Sequence, residues 1–147
     1  MWHSAIRLIV RPFFHVSCIE EFLDESDKSS IMNFLFKGLD VRFTDGNNWY
    51  RAYIDGTALV VQKRVAGAIT LLESVPFIAT AGTSFTLRFR VVGTILYANV
   101  WQSGTPEPSN WMVMVSDTSL STGYCGLRML AKNGAIASYT SFQATFQ

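Results

Sequence analysis

NWYRAYI-DG-TALVVQKRV, residues 48–65, reads as two short strands around a tight turn. Apolar and aromatic residues alternate with polar ones on both sides of Asp55-Gly56, and an Asp-Gly pair supplies the backbone angles a two-residue hairpin needs. FTLRFRVV-GT-ILYANVW, residues 85–101, repeats the pattern around Gly93. Turn signals recur at Asp45-Gly46, Ala66-Gly67, Gly82, Gly104, Gly123 and Asn133-Gly134, with runs rich in Val, Ile, Thr, Tyr, Phe and Trp between them. That spacing predicts an all-β sandwich or barrel. TPEP, residues 105–108, is a loop leading into a strand at WMVMVS, residues 111–116. YCGLRML (124–130) and ASYTSFQATF (137–146) close the chain as strands.

The front of the chain has a different texture. Residues 1–38 form an atypical segment and 39–147 the sandwich domain. In CIEEFLDE, residues 18–25, Ile19, Phe22 and Leu23 are spaced as on one helical face, which predicts a short helix. SSIMNFLF, residues 29–36, fits a helix or a buried strand, and IMNFLFKGLDVRFT can supply the strand before the first turn. MWHSAIRLIVRPFF at the start makes no convincing signal peptide, because Arg11 and Pro12 interrupt its apolar run. The same charges and proline leave no stretch long enough to predict membrane insertion.

The 147 residues suit one domain, and a 49% hydrophobic composition can fill a core. With 12 basic and 11 acidic residues, a net charge of +1, nucleic acid is not an expected partner. Of two cysteines, Cys18 and Cys125, the second sits in an apolar strand pattern and reads as a small buried hydrophobe.

Alternation sorts each strand into two sides. Tyr50, Ala52 and Ile54 share one side; so do Phe85, Leu87, Phe89 and Val91; so do Leu96, Ala98 and Val100; so do Cys125, Leu127 and Met129. These are the expected core. The other side collects Trp49, Arg51, Tyr53, Arg88, Arg90, Tyr97, Asn99, Trp101 and Arg128, the candidate carbohydrate-binding residues. Rings cover the C–H face of a sugar, and Arg and Asn reach its hydroxyls. The same residues also suit an ordinary solvated sheet face with cation–π pairs.

Catalytic signatures are missing. His3 and His15 lie before the β region, so a Ser/His or Cys/His relay inside it is not expected. Glycoside hydrolysis needs two carboxyl groups across one bond. After residue 41 the carboxylates are Asp45, Asp55, Glu73, Glu107 and Asp117, which read as turn or loop residues. No cofactor is expected; a calcium site on turn aspartates is conceivable, without a located loop.

Three stretches together resemble bacterial concanavalin A-like (LamG-like) jelly-roll domains: TDGNNWYRAYIDGTALVVQKRVAG (44–67), AGTSFTLRFRVVGTILYANVWQSGTPEPSNWMVMVSD (81–117) and GYCGLRMLAKNGAIASYTSFQATF (123–146). The likeness covers about residues 40–147. It implies a two-sheet antiparallel jelly-roll sandwich, non-catalytic and lectin-like, binding a polysaccharide or glycan at the cell surface or outside the cell. The E-x-D-x-x-E and E-x-D-x-E strands of catalytic members are absent from this sequence. A structural or adhesive spacer without a small ligand, or a piece of a larger glycan-acting protein, fits the same fold. Such domains open with strands that residues 1–38 do not show. A missing first strand would leave an unpaired sheet edge and hence self-association.

Overall fold

The computed structural model describes residues 16–23, 35–80, 82–131 and 138–146. Ten strands run through them: β1 (Val16–Leu23), β2 (Leu35–Asp45), β3 (Asn48–Ile54), β4 (Ala58–Val65), β5 (Ala68–Pro76), β6 (Ser84–Val92), β7 (Ile95–Gln102), β8 (Val113–Ser116), β9 (Tyr124–Ala131) and β10 (Ser138–Phe146). They form two five-stranded sheets, β10-β1-β6-β7-β8 and β5-β4-β3-β2-β9. The architecture is the expected jelly-roll sandwich. No helix occurs among the described residues, so none there is long and apolar enough to cross a membrane.

The hairpins follow the turn chemistry. At Asp55-Gly56, Gly56 takes φ 96°, and Asp55 Oδ1 accepts from the amides of Thr57 and Ala58 at 2.8 Å each. Asp45 closes its turn through the side chain, accepting from the Asn47 amide at 2.7 Å, and Gly46 needs no positive φ there. Ala66 and Gly67 join β4 to β5 at φ 49° and 87°. A left-handed pair suits a tight hairpin, although alanine is a costly residue for it.

Residues 18–23 of the expected helix are strand instead. β1 pairs antiparallel with β10 on one side and β6 on the other, with Cys18 opposite both Ala144 and Phe89. An eight-residue helix is marginal by itself. Between two sheet neighbours the same backbone satisfies its amides and carbonyls on both sides. β1 therefore fills an interior place in its sheet, between β10 and β6. Asp24 and Glu25, most of SSIMNFLF, and both histidines lie outside the described residues; Leu35 and Phe36 begin β2.

The core lies between the sheets and takes the sides that alternation assigns to it. Leu87, Phe89, Leu96 and Ala98 from one sheet are fully buried against Tyr50, Ala52, Leu59 and Val61 from the other. Cys125 joins them, and Leu127 packs at the margin. β2 carries a bulge between Asp40 and Phe43, where Arg42 takes φ 49°. The bulge turns Arg42 toward one end of the sandwich, where its guanidinium donates to the carbonyls of Leu120 (2.7 Å) and Gly93 (2.5 Å). Gly123 crosses close behind; a Cβ on it would stand 2.4 Å from the Arg42 carbonyl carbon.

Candidate functional site

The nine candidate residues do not share one face. β3 and β9 belong to one sheet, β6 and β7 to the other. Trp49, Arg51, Tyr53 and Arg128 therefore look outward on one side of the sandwich. Arg88, Arg90, Tyr97, Asn99 and Trp101 look outward on the opposite side.

On the β3 side the residues are closed up. Direct register places Arg51 beside Asp40 of β2, and Asp40 beside Gly126 of β9. Arg51 Nε and Nη2 donate to the two Asp40 carboxylate oxygens at 2.6 and 2.8 Å. Both side chains are below a tenth exposed. The guanidinium also lies 3.6 Å from the centre of the Trp49 ring. Trp49 is buried, and its indole N–H donates to the Gly46 carbonyl at 3.2 Å. Opposite Trp49, Arg64 donates to the carbonyls of Gly46 and Gly67 at 3.1 and 3.0 Å. Arg128 sits opposite Gly38, and Gly38 opposite Tyr53. A Cβ at Gly38 would come within 2.7 Å of the Tyr53 Cβ, so this row requires glycine. Burial, then the like charge of Arg51, lowers the Arg128 pKa. Burial raises that of Tyr53. Trp49, Arg51 and Asp40 have little surface left to offer a ligand, while Tyr53 and Arg128 are partly buried.

On the β6–β7 side the residues stand more open. Arg88 is opposite Asn99, Arg90 opposite Tyr97 and Thr86 opposite Trp101. A strap of chain after β7, residues 103–112, folds back over them. Its Glu107 pairs with Arg88, Oε2 to Nη1 at 2.6 Å, with side chains 26% and 30% exposed. Asn99 holds the strap: its Oδ1 accepts from the Met112 amide at 2.7 Å and its Nδ2 donates to the Pro108 carbonyl at 3.4 Å. At 1% exposure Asn99 is a scaffold residue of the loop. Trp111 on the strap packs on Tyr97, ring centres 5.2 Å apart and planes inclined by 48°. Arg90 also approaches Tyr97, 5.7 Å from its ring centre. Met114 of β8, opposite Tyr97, is exposed. Thr86 and Ser103 hydroxyls bond at 2.9 Å. Arg88 keeps a buried Nε with no hydrogen-bond partner.

The result is a half-exposed set of rings, Tyr97, Trp101 and Trp111, beside an Arg–Glu pair. Rings offer an apolar platform, and the ion pair offers a charged donor next to a charged acceptor. Glu107 and Trp111 were not among the candidate residues; Glu107 read as a loop carboxylate between two prolines. Only the folding back of the strap brings them to Arg88 and Tyr97.

A third cluster lies at one end. Tyr50 donates to Asp117 Oδ1 at 2.6 Å and accepts from the Leu120 amide at 3.0 Å. Lys63 donates to Asp117 Oδ2 and, at 2.8 Å, to Ser119 Oγ. Burial alone would raise the Asp117 pKa, but hydrogen bonds from Lys63, Tyr50 and Ser119 outweigh it and hold it well below the carboxylate range. Burial, and the bond to Asp117, push Tyr50 up to about 12. This network ties β3 and β4 to the loop after β8. Among the described residues no group of three or more His, Cys, Asp and Glu converges as metal ligands would.

No protein-family model matches the chain, and no curated protein matches it. Solved structures do share its fold. A carbohydrate-binding module, CBM66, from Bacillus subtilis superposes with a TM-score of 0.63 at 15% identity, over 90% of this chain and 71% of that one. Sheep galectin-11 gives 0.65 at 14% identity, over 97% and 95%. A xylan β-1,4-xylosidase from Bacillus halodurans gives 0.69 at 14% identity, over 96% of this chain and 29% of its own.

Proposed function

We propose that this chain is a non-catalytic, lectin-like carbohydrate-binding module, and that its ligand face is the outer side of β6 and β7 with the strap 103–112. The observation that carries it is the return of the strap onto this face, which sets Trp111 against Tyr97 and Glu107 against Arg88. Half-exposed rings can cover a sugar's C–H surface while Arg88 donates to, and Glu107 accepts from, neighbouring hydroxyls. The names of its structural neighbours, a carbohydrate-binding module and a galectin, point the same way.

The absence of catalysis is part of the proposal. Among the described side chains this face presents one carboxylate, Glu107, and Arg88 holds it as an ion pair. Glycoside hydrolysis calls for two. A concanavalin A-like or LamG-like kinship, and a place outside the cell or on its surface, belong to the same reading.

Binding of purified protein to a panel of soluble polysaccharides, first with calcium and then with chelator, tests it. Binding that Tyr97→Ala and Arg88→Ala abolish, with both variants folded, is the expected result. Loss on chelation would add a metal ion to the site. Retained binding in both variants would move the ligand off this face. Silence across the panel would favour the spacer.

A further inference from the structure

We propose, resting on the reading of β6, β7 and the strap as a glycan face, that its ligand is an acidic sugar, a hexuronate within a polysaccharide. Glu107 holds the place on Arg88 that the sugar's own carboxylate takes. Among the described residues Arg88 has one polar partner, Glu107, and meets it through one nitrogen, Nη1, at 2.6 Å. Its Nε is buried without a hydrogen-bond partner. A guanidinium is a planar fork that suits a carboxylate gripped by two nitrogens at once. Here it grips by one. A buried donor left over calls for an explanation, and a carboxylate seated on Nε and Nη2 together would supply it.

The hold of Glu107 is light. It stands between Pro106 and Pro108, and Arg88 is its one side-chain partner among the described residues. With side chains 26% and 30% exposed, the pair is screened by water and contributes little. The strap is fixed by other groups: Asn99 binds the Met112 amide and the Pro108 carbonyl, and Trp111 packs on Tyr97. Glu107 can therefore turn away from Arg88 while the strap stays in place.

Tyr97 gives the sugar ring its seat. It lies opposite Arg90, so Arg88 is its diagonal neighbour across β6 and β7, about 7–8 Å away. A pyranose lying on Tyr97 spans that gap with the carboxyl group a hexuronate carries outside its ring. A neutral hexose has a hydroxyl there, and a hydroxyl does not displace a carboxylate from a guanidinium, because the charged bond is roughly twice as strong. Arg90, 5.7 Å from the centre of the same ring, places a second guanidinium beside the seat.

Titration calorimetry of the full chain with polygalacturonate, alginate and glucuronan, each beside its carboxyl-reduced neutral counterpart, tests this. At least one acidic polymer should bind, and its neutral counterpart about tenfold or more weakly. Glu107→Gln keeps an amide oxygen for sugar hydroxyls and gives up the charged claim on Arg88. It should bind that acidic polymer about two- to fivefold tighter, the range an exposed ion pair spans. A Glu107 that merely braced the strap, or accepted from a hydroxyl, would give weaker binding instead. Arg88→Ala should bind neither form, with circular dichroism showing both variants folded. A neutral polymer that binds as well as its acidic parent overturns the proposal. So does weaker acidic binding by Glu107→Gln, or acidic binding that survives Arg88→Ala. Neutral binding that Arg88→Ala and Tyr97→Ala abolish would keep the ligand face and reject only the acidic class. Silence toward every polymer, acidic and neutral, would overturn both.

Discussion

The two outer faces of the sandwich carry similar residues and do different things with them. On the β3 side, Arg51 lies between Trp49 and Asp40, and all three are buried. On the β6–β7 side, Arg88 meets Glu107 at the surface, near rings that are only half covered. Arg, Trp and a carboxylate make a structural lock in one place and an accessible patch in the other. Composition does not separate the two; burial does. A desolvated ion pair is costly to break, whereas an exposed one contributes little to stability.

The largest effect expected from that contrast is at Asp40. Asp40→Ala strands the Arg51 charge in a buried place and should cost about 3–5 kcal/mol in urea unfolding. A loss near zero would show that the β3 face is more open than its burial implies. Next comes the end network. Tyr50→Phe removes a donor to Asp117 and the acceptor of the Leu120 amide, and should cost about 1–3 kcal/mol. Asp117 also gives that end a pH dependence. Its pKa is lower folded than unfolded, so its contribution is complete above the unfolded value, about 3.9. The contribution is lost as pH falls below that value toward the folded one. Asp117→Asn should flatten the acid limb of a stability–pH curve, and an unaltered limb would contradict the assignment.

Arg88→Ala should change stability by about 1 kcal/mol or less, because the two side chains of its ion pair stay 30% and 26% exposed. It should nonetheless abolish glycan binding. A large loss of stability would make this face a second lock and erase the contrast. The smallest effect lies at the hairpin joining β4 and β5. Ala66→Gly relieves a left-handed alanine and should stabilise by about 0.5–1 kcal/mol in thermal melts.

Much of the fold was legible. Asp55 and Gly56 announce a turn through local chemistry that needs no distant partner. Phe85, Leu87, Phe89 and Val91 name their buried side because alternate side chains on a strand must point opposite ways. CIEEFLDE misled because Ile19, Phe22 and Leu23 satisfy a helical spacing over too few residues to hold a helix. β10 and β6 decided the matter by pairing with β1. AITLLESVP announced nothing by alternation, since an edge strand with most of its side chains exposed has no buried side to mark.

The candidate site was legible in its residues and illegible in its grouping. Trp49 and Trp101 both fall on the non-core side of a strand, and that is as far as a period of two reaches. The period gives the side within a strand; it does not say which sheet the strand joins. In a sandwich the non-core sides of two sheets point in opposite directions, so residues alike in pattern end up on opposite surfaces. The sequence by itself determined a β-sandwich, most of its turns and its core, because these rest on local backbone geometry and on burial of alternate side chains. The tertiary structure alone decided that Asp40 closes over Arg51 and that Glu107 and Trp111 return to Arg88 and Tyr97. Those contacts depend on strand order and on the path of a loop, which local pattern does not encode.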